Sequence, residues 1–182
     1  MAETYPIDPV VRLCGVTARS PELRERAISR LVDCWGECQL RSPSQPMAAG
    51  GYYTATMGEP LAQEWVALGG PADPAELADW KHQTNDWERI AKTEGWDRDV
   101  DRPINLDCGY VTQAKWVLAT TKNRSHRIYL RRSMFAEITL TYVGGQWRSG
   151  PHTYANYQTP LVAEFATRCR NLLRRWIQSS EA

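Results

Sequence analysis

What this chain lacks removes several function classes before any motif is read. No apolar run approaches the roughly 20 residues that a bilayer-crossing helix requires, so no membrane partner is expected. Neither Gly-x-x-x-x-Gly-Lys-Ser/Thr nor Gly-x-Gly-x-x-Gly occurs, which leaves the usual backbone phosphate cradles without a sequence basis. Charge of one sign is also missing: Lys+Arg 22 against Asp+Glu 21 gives a net charge of +1. A general nucleic-acid or membrane-surface binder depends on such an excess, so only a local basic patch is left open. Cysteine stands at 14, 34, 38, 108 and 169, an odd count without framework spacing, which argues against a disulfide scaffold. Cys34-x-x-x-Cys38 lacks the second ligand pair of a structural zinc site. The opening Met-Ala-Glu-Thr-Tyr-Pro has neither a basic leader nor an apolar core, and cytoplasmic residence is expected from it.

What is present suits an ordinary folded protein. A length of 182 residues with 42% hydrophobic and 24% charged content is enough for one core and one domain, 1–182. Loose ends are expected at 1–8 and 178–182. Eight Trp and eight Tyr stand against two Phe, so most aromatic rings carry a polar handle suited to half-wet surfaces and pockets.

The β-branched run Val10 to Thr17 predicts a buried strand, with Gly15 allowing a close approach. Ser20-Pro21-Glu22 opens a helix whose stripe is Leu23, Ala27, Ile28, Leu31, Val32 and Trp35, and Gly36 stops it. Glu37 to Arg41 reads as a short strand, Ser42 to Gly51 as a loop, Gly51 to Gly58 as a strand, and Leu61 to Leu68 as a strand or a helical turn, with strand favoured. Asp73-Pro74-Ala75-Glu76 is a capping box, followed by the stripe Leu77, Trp80, Thr84, Trp87 and Ala91. Lys81, Asn85 and Glu88 share an adjacent edge of that helix. Gly95 to Arg102 is a charged loop.

From Arg102 to Tyr142 the chain alternates as antiparallel strands do. Val143-Gly144-Gly145-Gln146 is a hairpin turn, and Thr159-Pro160 opens a last helix with the stripe Leu161, Phe165, Cys169, Leu172, Leu173, Trp176 and Ile177. Through Asp107 the order strand-helix-strand-strand-helix-strand is the ferredoxin-like βαββαβ pattern, followed by a meander. The expected fold is therefore α+β, a single domain with a mostly antiparallel sheet and helices packed on one face.

The chemistry-bearing residues concentrate on the later strands. Alternation sets Asn105 and Asp107 against Ile104 and Leu106, Arg127 and Tyr129 against Ile128 and Leu130, and Glu137, Thr139 and Thr141 against Ala136, Ile138, Leu140 and Tyr142. If these strands are neighbours, Asp107, Arg127, Tyr129 and Glu137 meet on one polar face. On that reading Lys115, Lys122 and Arg127 hold an anionic group, while Asp107 and Glu137 bind Mg²⁺ or serve as acid and base with His126. The Lys81, Asn85, Glu88 edge, with Asn105, Tyr110, Tyr129, Thr139, Tyr154 and Tyr157, completes the ligand-binding set. The same charges are equally those of a cross-strand ion-pair ladder, Arg127 with Glu137 or Asp107. Cys108 beside Gly109 is a nucleophile only if a base lies near.

Several ordered motifs add a resemblance. Tyr52-Tyr53 with Met57-Gly58, Lys81 with Thr84-Asn85 and Glu88, Asn105-Leu106-Asp107 with Gly109-Tyr110, Thr121-Lys122 with His126 to Leu130, Ala136-Glu137 with Thr139-Leu140 and Tyr142, and Thr153-Tyr154 with Tyr157 together resemble the prokaryotic domain-of-unknown-function family 4416. The chain departs from that pattern at Cys108, where proline is usual, and at Ala155-Asn156, where Pro-Asp is usual. The resemblance implies no particular activity, and the GTP-binding label carried by some members meets no P-loop here. The expected function is binding of, or action on, a small anionic ligand, phosphate-bearing or nucleotide-like. An RNA-binding module built on Tyr110, Tyr129, Trp147, Tyr154 and Tyr157, or an interaction domain using the Arg168, Arg170, Arg174 and Arg175 edge, are the alternatives.

Overall fold

A computed structural model describes residues 2–4, 7–47 and 51–180 of the chain. Residues 48–50 of the expected 42–51 loop, and 1, 5, 6, 181 and 182 of the expected loose ends, lie outside the described residues.

The elements run β1 (Val11–Ala18), α1 (Pro21–Trp35), β2 (Cys38–Arg41), β3 (Gln45–Pro46), α2 (Gly51–Met57), β4 (Ala62–Leu68), α3 (Leu77–Thr93), β5 (Ile104–Val111), β6 (Lys115–Thr120), β7 (Ile128–Tyr129), β8 (Phe135–Val143), β9 (Gln146–Ser149) and α4 (Pro160–Ser180). The strands form one antiparallel sheet in the order β2-β4-β1-β5-β6-β8-β7, with β3 on β4 and β9 on β8. The β2-β4-β1-β5 half, with α1 and α3 as its crossovers, is the ferredoxin-like arrangement that the element order predicts.

Local chemistry accounts for the helix starts. The Ser20 hydroxyl accepts from the Leu23 N–H at 3.3 Å ahead of Pro21, and Gly36 ends α1 at φ 91°. Asp73 accepts from the Ala75 N–H at 2.8 Å, but it caps a 3-10 turn, Pro74–Glu76, that leads into α3.

Three expectations are corrected. Gly51–Met57 is the helix α2, because the short Tyr-Tyr-Thr run carries β propensity but the chain around it buries Met57 in helical geometry. The last helix extends to Ser180, beyond the expected start of a tail at 178. The α+β single-domain fold holds, but the helices cover both faces of the sheet. Even-numbered β1 residues (Cys14, Val16, Ala18) pack with α1 and α3; odd-numbered Val11 and Leu13 pack with Trp65, Trp116 and Tyr157 under Phe165, Cys169 and Leu173 of α4. A sheet apolar on both faces has to be covered on both.

Two local irregularities shape the sheet around β5, β6 and β8. β5 and β6 pair only from Gly109–Leu118 to Val111–Trp116, although β5 begins at Ile104 and β6 runs on to Thr120. At Gly109 the strands press together so tightly that a Cβ would lie 2.2 Å from the Val117 carbonyl oxygen; beyond it they separate. In β8 the register slips between Val117–Ile138 and Trp116–Leu140, which leaves Thr139 as a bulge. Alternation therefore changes sense there: Leu140 joins the α4 core while Ile138 is 53% exposed.

Candidate functional site

The opening between β5 and β6 is filled by side chains from α3. Lys81 Nζ donates to the Leu106 carbonyl at 2.8 Å, and Glu88 Oε1 accepts from the Leu106 N–H at 2.7 Å. The helix edge that the sequence marks thus takes the place of a missing strand, satisfying backbone groups that burial would otherwise leave costly. Lys81 is only 6% exposed. Burial pulls its pKa down, but Glu88 and Asp107 more than offset this and hold it above the ordinary lysine value.

Arg102 joins this cap to the other face of the sheet. Its Nε and Nη2 donate to Glu88 Oε2 at 3.1 and 2.7 Å, and Nη2 also donates to Asn105 Oδ1. Asn105 in turn donates to Asp107 Oδ2 at 2.8 Å. Desolvation opposes the Arg102 charge, and Glu88 raises its pKa against that cost. Tyr53 of α2 lies 5.9 Å from the guanidinium, and burial together with Asp107 keeps its phenol protonated well above the usual range.

Beside Arg102 a cavity of about 390 Å³ opens, lined by Thr56, Asn85, Glu88, Arg89, Lys92, Asp101 and Arg102. Its volume falls in the range of small-molecule sites, roughly 300–1,000 Å³. Three of its seven lining residues are cations and two are acids. A second cavity of about 400 Å³, lined by Thr54, Ala55, Gly58, Arg98, Asp99, Val100 and Asp101, has the opposite balance, one cation against two acids.

On the α4 face, Asp107 is opposite Gly15, which is opposite Trp65. Gln63, Trp65 and Tyr157 are buried there, and Asn156 Nδ2 donates to Gln63 Oε1 at 2.7 Å. Position 156 is therefore part of this cluster, as an amide donor.

Glu137 belongs to a different cluster. Arg127 Nε donates to its Oε2 at 2.6 Å, with side-chain exposures of 4% and 7%, and His126 Nε2 lies 3.5 Å from the same oxygen. His126 stacks on His152 with ring centroids 4.2 Å apart. Glu137 and Asp107 face the same side of the sheet, because Gly109, Leu118 and Glu137 form one row. Strand β6 lies between them, and their hydrogen-bond partners do not overlap. Of the two sequence alternatives for Arg127, the structure forms the ion pair with Glu137. Among the described residues no group of three or more His, Cys, Asp or Glu is placed to hold a metal ion, and Asp107 and Glu137 do not share one site.

The remaining candidates are dispersed. Tyr110 packs against the α1 and α3 core, opposite Asp107. Lys115 is exposed at the start of β6, and Lys122 accepts from Arg127 Nη1 through its carbonyl. Tyr129 is exposed on the outermost strand against Phe135, Thr139 is buried in the bulge, and Tyr154 is exposed. Trp147 packs on Tyr142, so the aromatic set does not gather on one surface. Cys108 is buried and its thiol is pushed up to about 11 by desolvation, which leaves it un-ionised near neutral pH.

Sequence reasoning missed Arg102, Arg89, Lys92, Thr56, Gln63 and Trp65. Arg102 sits in a charged loop with nothing to single it out. Gln63 and Glu64, two polar residues in an otherwise apolar strand, are the one signal that pointed inward.

No curated protein and no solved structure matches this chain. A family model described as a domain of unknown function, DUF4416, matches residues 8–173 of the 182. The chain therefore belongs to the DUF4416 family.

Proposed function

We propose that the cavity beside Arg102 binds a small anionic ligand, phosphate-bearing or nucleotide-like. The observation that supports this best is the cation set: Arg89, Lys92 and Arg102 come from two segments to line one space of suitable size. Arg89 pairs with Asp86 and Lys92 with Asp101, both exposed carboxylates. Exposed pairs of this kind contribute about 0–1 kcal/mol, so a ligand anion displaces them at little cost. Arg102 is different: Glu88 and Asn105 fix its plane and leave Nη1 outside these bonds, a preorganised donor. Asn85 and Thr56 supply neutral polar contacts at the rim.

A thermal-shift panel of nucleotides and sugar phosphates, with and without Mg²⁺, tests this reading. A ligand at one hundred times its Kd adds about 2.7 kcal/mol of stability, so one with a Kd of about 10 μM supplied at millimolar concentration gives a clear rise in Tm. No rise across the panel at millimolar concentration contradicts it.

A further inference from the structure

We infer that the cluster of buried donors over Gly15, on the α4 face of the sheet, binds a neutral group with an acceptor oxygen beside a donor hydrogen, either a hydroxyl or the amide edge of a lactam. This site lies beyond the Arg102 cavity and stands without it. Three donors converge there. Gln63 and Trp65 are 0% exposed and Tyr157 is 3% exposed, yet among the described residues Gln63 Nε2, Trp65 Nε1 and the Tyr157 hydroxyl have no hydrogen-bond partner. Buried donors are paired in the great majority of cases, because leaving one unpaired costs about 1–3 kcal/mol.

Their aim is fixed. Asn156 holds Gln63 Oε1, which turns Nε2 toward Gly15. A Cβ at position 15 would lie 3.2 Å from both Gln63 Nε2 and Trp65 Nε1, so both N–H groups crown the one residue without a side chain. Burial raises the pKa of the Tyr157 phenol and Trp65 beside it works in the opposite sense, though the pair is not in hydrogen-bonding geometry. The rings meet edge to face at 5.8 Å.

The class of ligand is set by the neighbouring charge. Asp107 is opposite Gly15 in register, is half-buried, and raises the pKa of the Tyr157 phenol. An anion at the donors would meet this carboxylate and be repelled; an ammonium would face three N–H or O–H groups. A neutral oxygen that accepts from the donors while its own or an adjacent hydrogen is donated to Asp107 satisfies every group.

The test tracks the indole N–H of Trp65 in ¹H–¹⁵N spectra, assigned with Trp65→Phe, during titration with myo-inositol as the hydroxyl probe and uracil as the lactam probe. A saturable shift of that resonance by either probe, with the other indole resonances unmoved, is the expected result, and which probe acts names the source. Gly15→Ala fills the crown and should abolish the shift; Tyr157→Phe removes one donor and should weaken binding roughly five-fold. If neither probe moves the Trp65 resonance, or if Tyr157→Phe binds as tightly as wild type, the inference is overturned, whether or not Gly15→Ala folds. Titration of inorganic phosphate in the same samples reads the Arg102 cavity separately, so the two readings fail independently.

Discussion

Lys81 is a buried cation on α3. Replacing it with methionine keeps the buried length but removes the donor to the Leu106 carbonyl and the cation beside Glu88 and Asp107. Breaking a buried charge set in this way costs about 3–5 kcal/mol, and urea unfolding of Lys81→Met should show a loss of that size. The Arg127–Glu137 pair behaves similarly in stability and differently in binding. Arg127→Met strands a buried carboxylate and should cost about 3 kcal/mol, much of it recovered when Glu137→Leu is added, while anion binding beside Arg102 is unchanged. A loss of binding in Arg127→Met would mean that the two clusters are one site. The alkaline limb of stability also belongs to this scale. Lys81 and Tyr157 both have folded pKa values raised above their unfolded ones, so the native state binds more protons. Their contribution is complete below about pH 10, where the unfolded groups titrate, and fades as pH rises through the folded values. Tyr157→Phe should flatten that limb in thermal melts taken between neutral and strongly alkaline pH.

At the scale of elements, the Gly109 approach decides whether the β5–β6 opening exists. An alanine there places its methyl against the Val117 carbonyl, a backbone group that moves only with its strand. Gly109→Ala should therefore destabilise by about 1–3 kcal/mol as overpacking does, and it should do so more than Gly15→Ala, whose neighbours are side-chain tips. Guanidinium melts of the two variants check the order. The main strands and helices were legible from different signals: the β-branched run of β1, the alternation of β5 and β6, and the caps and stripes of α1, α3 and α4 stand close to the elements observed. Three things were not. The Thr139 bulge reverses parity within β8, and no residue type announces it. The amphipathic stripe of α4 says that it has one buried face, not which side of the sheet it covers. Tyr52 to Thr56 alternates poorly and is short, so β propensity and helical context competed there and context won. The site was partly legible: Lys81 and Glu88 share a helix edge, and Asn105 and Asp107 a strand face, as their spacing suggests, whereas Arg102, which links Glu88 to Asn105, enters through a loop whose path sequence patterns do not fix.

Across the whole molecule, the two-sided cover of the sheet makes α4 as necessary as the ferredoxin-like half. Phe165 is 1% exposed against Trp116, with centroids 6.0 Å apart, and Phe165→Ala should cost about 3–5 kcal/mol by calorimetry. The near balance of charge, net +1, gives no long-range field to draw in polyanions, so recognition of an anion rests on the local set at Arg102, Lys92 and Arg89. The most direct measurement is calorimetric titration of inorganic phosphate into the wild type, Lys92→Gln, Arg102→Gln and Arg127→Gln. Saturable heat in the wild type and Arg127→Gln, weakened at least ten-fold in Arg102→Gln and measurably in Lys92→Gln, is the predicted result. Equal binding by wild type and Arg102→Gln, or none by the wild type, would contradict it.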